Sequence, residues 1–151
     1  DADIPVVSVS VDPRQGPEHH FRLGQALAGL GGEGVLVIGS GSFTHNLGEA
    51  FKALRTGRRS IDVPGWVQDF TGWMNDRLAA NDRDALLDYR RQAPFAVENH
   101  PTDEHLLPLY VAMGAAGEAA SAQLVHDSAE FGVLAMTMWR FDPAAAAAPA
   151  A

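Results

Sequence analysis

The 151-residue sequence has no cysteine. That absence removes disulfides, thiolate metal sites and thiol nucleophiles together, and leaves His, Asp and Glu as the side chains that can bind a metal. Positive charge is scarce as well: eleven Lys and Arg stand against nineteen Asp and Glu, a formal net charge of -8. Such a field repels phosphate backbones and anionic headgroups, which argues against nucleic acid and membrane surfaces as partners. No apolar run approaches the ~20 residues of a membrane span, and no basic-then-apolar signal pattern opens the chain. The sequence therefore reads as soluble and unexported, with the cytoplasm as its expected location. An initiator methionine is also missing: the chain starts at Asp1 and is in a strand pattern within a few residues. That reads as a cut made upstream of a fold.

What the sequence does have is 46% hydrophobic residues, enough for one domain with a real core. "PVVSVSV" is β-branched and partly alternating, and Pro13 closes it, so residues 5–11 are predicted as a strand. From Pro17 to Leu30, Phe21, Leu23, Ala26, Leu27 and Leu30 recur near a helical period, with Pro17 suited to the first turn and Gly31-Gly32 to the end. "GVLVIGSG" is a continuous apolar run between glycines, the pattern of a strand covered on both faces. Strand, helix and strand make a βαβ crossover. Further helices are predicted in "HNLGEAFKAL", in "WVQDFTGWMNDRLAA" with Trp66, Phe70, Trp73, Met74 and Leu78 toward the core, and in "DRDALLDYRRQ" with Asp82 as its cap. "AQLVHDS" and "FGVLAMTMWRF" read as late strands. The fold class expected is α/β, a mostly parallel or mixed sheet flanked by helices, over residues 1–142. The Ala/Pro tail over 143–151 reads as disordered.

Two constellations can carry chemistry. In "VLVIGSGSFTHNL", His45 follows a predicted strand and a Gly-Ser-Gly turn, at the strand end where open α/β sheets place their sites. The placement suits an acid/base group. The alternative is that Thr44 or Asn46 caps a helix and His45 is a solvated bystander. A dinucleotide reading is weaker, because Thr44 stands where GxGxxG needs its third glycine and Asp62 is an unsupported match. The second constellation is "HPTDEHLLPLYVAMGAAGE". Thr102 as N-cap, with Asp103 and Glu104 in the first turn, explains three residues. It leaves His105 where a capping box has Glu or Gln, and Pro108 where a helix begun at Asp103 would lose a bond to Glu104. Broken local rules mark either a functional residue or a kinked core helix, so His105 is a candidate metal ligand. His100, held extended before Pro101, is a candidate for the layer behind a ligand or for substrate contact, as are Ser40 and Asn46. His19 and His20 read as solvated surface, His126 as a strand residue at a sheet face or edge. Arg55, Arg58 and Arg59 read as loop charges rather than a substrate clamp.

Together, "HHFRLGQALAGLGGEGVLVIGSGSFTHNL", "HPTDEHLLPLYVAMGAAGE" and the closing "FGVLAMTMWRF" resemble the C-terminal half of the class III extradiol ring-cleavage dioxygenases. This is the LigB-type superfamily, and the likeness is strongest to its 4,5-DOPA dioxygenase-like branch. It runs in order from Pro5 to Phe141. The resemblance implies a non-haem Fe(II), with zinc in some relatives, and the opening of a catechol-type ring beside its hydroxyls with O2. It also implies His105 as a metal ligand and His45 as the neighbouring acid/base or a further ligand. The family places two further metal histidines in an N-terminal half that has no counterpart in this sequence. The chain is therefore expected to supply part of a metal site, to be inactive alone, and to present an apolar face or sheet edge to the missing N-terminal half or a partner chain. The other reading is a non-catalytic or split half-domain that binds a partner subunit and forms one wall of the site.

Overall fold

Much of the core is built on a long helix in the middle of the chain. In the computed structural model, which describes residues 3–57 and 62–144, helix α3 (Gly65–Ala79) buries Val67, Phe70, Met74 and Leu78 on one side. Their spacing is that of an apolar helix stripe. Asp82 accepts the Ala85 N–H and opens α4 (Arg83–Leu87), the cap its position predicts. Short helices α5 (Tyr89–Gln92) and α6 (Ala96–Asn99) follow, and Leu86, Tyr89 and Ala96 join Leu107, Tyr110 and Met113 of α7 (Leu107–Ala116) in one cluster. The buried Tyr110 hydroxyl donates to Leu86 O at 2.9 Å, so its polar end is satisfied. Trp66 and Trp73 are partly buried flanks of the two apolar clusters.

Helix α1 (Pro17–Leu27), continued by a 3₁₀ turn (Ala28–Glu33), lies against α7 at two glycines. A Cβ on Gly24 would stand 2.2 Å from Val111 O, and one on Gly114 2.0 Å from Phe21 O. The two backbones approach this closely because neither position carries a side chain. His20 corrects the solvated reading: it is fully buried, its Nδ1–H donating to Gly16 O at 2.9 Å and its Nε2 accepting the Asp12 N–H at 3.2 Å. One imidazole thus ties the end of the 5–11 segment to α1, while His19 stays exposed.

Late strands form within both predicted runs and are antiparallel, the second run being divided between two short strands. β1 (Ser121–His126) pairs with β4 (Met138–Asp142), Ser121 opposite Asp142 and Leu124 opposite Trp139. β2 (Ala129–Glu130) and β3 (Leu134–Ala135) form a second two-stranded ladder. His126 is an exposed residue of β1.

The expected parallel sheet is not found among the described residues, which are mostly helical with these two small antiparallel sheets. Residues 5–11 and 35–38 run without regular pairing, and no backbone bond joins one to the other. Val6 and Val7 are 87% and 85% exposed, Leu36 and Ile38 80% and 75%. A strand covered on both faces needs neighbours at its edges, and the described residues supply none to these two. The Val35–Ile38 segment therefore does not lie inside a sheet. Helix α7 also departs from expectation. It starts at Leu107 and not at Asp103, after a turn in which Asp103 O accepts the N–H groups of both Leu106 and Leu107. Pro108 then sits in the first helical turn, where its missing N–H costs nothing. No described helix is long and apolar enough to cross a membrane. Arg58, Arg59 and residues 145–151 lie outside the described residues.

Candidate functional site

The Gly-Ser-Gly turn is built for close approach. A Cβ on Gly39 would stand 2.2 Å from Pro108 O, and one on Gly41 2.2 Å from His105 O. The turn thus lies on the backbone that carries His105, and Ser42 N–H donates to His105 O at 2.8 Å. The next four residues are irregular, yet each is tied. Phe43 N–H donates to Ala135 O at 3.3 Å. The buried Thr44 hydroxyl donates to Val133 O at 2.9 Å and accepts the Ala135 N–H at 2.7 Å. His45 N–H donates to Asn99 O at 2.8 Å. Asn46 Nδ2 donates to Glu98 O at 2.7 Å, and its Oδ1 accepts the Glu49 N–H, capping α2 (Leu47–Arg55).

His100 stands behind this loop. It is fully buried, and its Nε2–H donates to Phe43 O at 2.9 Å, which fixes the tautomer and leaves Nδ1 enclosed without a partner. Burial pushes its pKa down to about 4, so the ring is neutral near neutral pH.

In front of the loop the His45 and His105 rings stack, centroids 3.5 Å apart and planes within 17°. His105 Nδ1 is enclosed with no hydrogen bond; Glu104 Oε1 lies 3.4 Å away. Its Nε2 makes no hydrogen bond with any described residue. Burial first, and the neighbouring His105 second, lower the His45 pKa, with Glu104 opposing. Glu104 is itself held below the usual carboxylate range by bonds from its own backbone N–H and the Thr102 hydroxyl, with the two imidazoles adding to them. A neutral imidazole serves as ligand or as base. The stack separates those tasks. A histidine that held a metal would commit a ring-nitrogen lone pair to it, and its stacked neighbour would keep its own. In this arrangement one histidine can bind an ion while the other keeps its lone pair for a proton.

A cavity of about 280 Å³ opens beside His105, between the Ile38–Phe43 segment and Met136–Trp139. Ser40 lines it; His45, Asn46 and His100 do not. Arg55 is exposed at the end of α2. Sequence reasoning missed the double role of Thr44 and the backbone support given by Asn99, because their partners lie far along the chain. The one available signal was compositional: Thr and Asn in an apolar neighbourhood need bonding partners once buried.

Among the described residues no group of three or more His, Asp or Glu could hold a metal ion. His105 and His45 are donors of the right kind, fewer than the about three protein ligands of an open catalytic site. They fit as part of such a site.

Residues 1–141 match the family model described as the catalytic LigB subunit of aromatic ring-opening dioxygenase. The chain is 40% identical over 141 residues to a 4,5-DOPA dioxygenase extradiol of Beta vulgaris, an alignment covering 93% of this chain and 50% of the relative. It is 30% identical over 139 residues to a protein of the same description from Escherichia coli K12, covering 90% and 49%. The crystal structure of an uncharacterized Escherichia coli K12 protein superposes with a TM-score of 0.71 at 29% identity, covering 90% of this chain and 55% of that one. The chain spans about half the length of the curated relatives it matches. Both histidine motifs fall inside the matched residues, and this chain belongs to the LigB family of aromatic ring-opening dioxygenases.

Proposed function

We propose that this chain forms one wall of the metal site of an extradiol dioxygenase that opens a catechol-type ring with O2. His105 is the metal ligand, through Nε2, and His45 is the acid/base group or a further ligand. Fe(II) is the metal proposed, with zinc as the alternative, since imidazole and carboxylate donors serve both. The observation that carries this reading is the His45–His105 stack, which sets two imidazoles at one place by means of two separate motifs. A bound iron would supply the path for electrons from catechol to O2. This chain's residues do the remaining work. His105 offers its unpartnered nitrogen, Glu104 adds negative charge beside the two rings, and His45 takes a catechol hydroxyl proton from a loop that cannot drift. The bonds through Ser42, Phe43, Thr44 and Asn46 hold the base at a fixed place, which is what proton transfer requires. The remaining ligands would come from the half of the relatives that this chain does not span.

The test is metal analysis beside turnover in the assembled enzyme. His105→Ala is expected to lose metal and activity together. His45→Ala is expected to keep metal and lose on the order of 10²–10⁴ in turnover, the usual worth of a placed proton-transfer group. Equal metal loss in both variants would make His45 a ligand. Full metal and full activity in both would defeat the reading.

A second reading is favoured by the incomplete ligand set and the uncovered apolar segments: a non-catalytic half-domain that binds a partner subunit and lends it one wall. Its mark would be turnover, in an assembly with the partner, that survives both substitutions.

A further inference from the structure

The path from His100 to His105 contains no helix or strand, so nothing regular fixes where His105 emerges. One side chain from another element spans it. Arg90, in α5, donates through Nη1 to His100 O and, at 3.4 Å, to Ala96 O, and through Nη2 to Pro101 O at 3.5 Å. The same Nη1 pairs with Asp103 Oδ1 at 3.0 Å. That carboxylate oxygen also accepts the hydroxyl of buried Tyr89 at 2.9 Å. Burial and the Asp103 charge raise the Tyr89 pKa, so the phenol remains a donor. Asp103 in turn starts the turn that contains His105, its carbonyl receiving the N–H groups of Leu106 and Leu107.

We propose that Arg90 is the positioning residue of this site: its guanidinium sets the course of His100–Asp103 and thereby the place where His105 stacks on His45. The three carbonyls and the carboxylate that Arg90 reaches lie between residues 96 and 103, so the clamp acts on this one segment. A planar fork of several donors can reach three carbonyls and a carboxylate at once, which a lysine ammonium cannot. The opposite side of the turn is held by Ser42 N–H on His105 O. His105 is thus placed between two anchors, one from each side, and the stack depends on both. Where the inference reaches metal binding it rests on the reading of His105 as a ligand; where it concerns ring placement it does not.

The experiment compares the 151-residue chain with Arg90→Lys by NMR of the histidine ring protons, before and during titration with Zn(II). At 3.5 Å each ring shields the other, so the stack has its own signature in the ring-proton shifts. Arg90→Lys is expected to keep a folded amide spectrum and lose that shielding. The zinc midpoint should weaken by about tenfold or more, the usual cost of removing a supporting partner of a metal ligand. Parent-like shielding and a parent-like zinc midpoint, even with lowered thermal stability, would overturn the proposal and leave Arg90 a structural tie only. If zinc moves no ring signal in the parent chain, the ligand reading of His105 fails, and the shielding comparison still decides the positioning role. Should Arg90→Lys not fold, Asp103→Asn decides by the same two readings, since it keeps an acceptor for Tyr89 and removes the charge that Arg90 holds.

Discussion

Residues 42–46 have the composition of a loop and five consecutive anchored positions, whereas residues 5–11 and 35–38 have the composition of strands and no regular pairing. The contrast shows what each kind of backbone needs. An irregular loop is held by whatever donors and acceptors stand around it, and here Glu98, Asn99, His100, Val133 and Ala135 belong to the same chain. A strand needs another strand. Its propensity reports a fit to a pleated, half-buried surface, and without that surface β-branched residues lie open to water. The loop backbone of the histidine-bearing wall is therefore complete in its ties to the chain, while the extended segments are unfinished.

The most direct way to break that completeness is at the α1–α7 contact beneath the site. Gly114→Ala places a methyl 2.0 Å from Phe21 O, a backbone atom that cannot rotate away. The helices must part, at an expected cost of about 3 kcal/mol or more, read as a lowered urea midpoint. An unchanged midpoint would mean that the two helices do not touch in solution.

Acid should break the tied region next. His100, which donates to Phe43 O, is held neutral by burial, with its pKa pushed down to about 4. An unfolded histidine titrates near ~6.5. Above that value both states are neutral and the folded state keeps its full stability. As pH falls from ~6.5 toward 4 the unfolded chain binds a proton that the folded chain refuses, so stability drops by about 3 kcal/mol and then levels off. Urea midpoints measured across this window should show the fall, and His100→Gln should flatten it. A wild-type curve no steeper than the variant's would place His100 in water.

How far the sequence announced these features depended on whether the partners were local. The α3 stripe, the Asp82 cap and the presence of late strands rest on short-range periodicity and capping, and they were legible, whereas the antiparallel pairing of those strands was not. The pairing of "GSGSFTHN" with "PTDEH" was legible as a family likeness, and the structure sets the two histidines ring to ring. The start of α7 was not legible. Asp103 looked like a first-turn acid, but it is engaged by Arg90 and Tyr89, which delays the helix to Leu107 and removes the conflict at Pro108. His20 was hidden for the same reason: its partners are backbone groups of a turn whose path no periodicity reveals. The parallel sheet failed differently. Its strand patterns are present, and among the described residues its neighbours are not.

A smaller effect tests the loop's long-range ties. Thr44→Val keeps the shape of the side chain and deletes the hydroxyl that serves Val133 O and Ala135 N–H together. Two buried backbone groups are left without partners, and the expected loss is about 2 kcal/mol. Amide exchange at Ala135 should quicken well beyond the global change. Parent-like exchange there would show that water or another group satisfies the N–H and that Thr44 is no anchor.

The smallest effect is expected at the unfinished edge, where Leu36→Lys and Ile38→Lys together replace side chains that are 80% and 75% exposed. Nothing packs on them to be lost, so the stability of the isolated chain should change by no more than about 0.5 kcal/mol, as for ordinary surface sites. Their consequence should be in association. An unpaired apolar edge invites another strand, and lysines on it oppose that addition through charge and solvation. Sedimentation across a range of concentrations should therefore show less self-association in the double variant than in the parent, at nearly equal urea midpoints. A loss of roughly 2 kcal/mol would instead mean that both side chains are buried in solution, as for core residues. The segment would then be paired within the chain itself, and the contrast between a finished wall and an open edge would disappear.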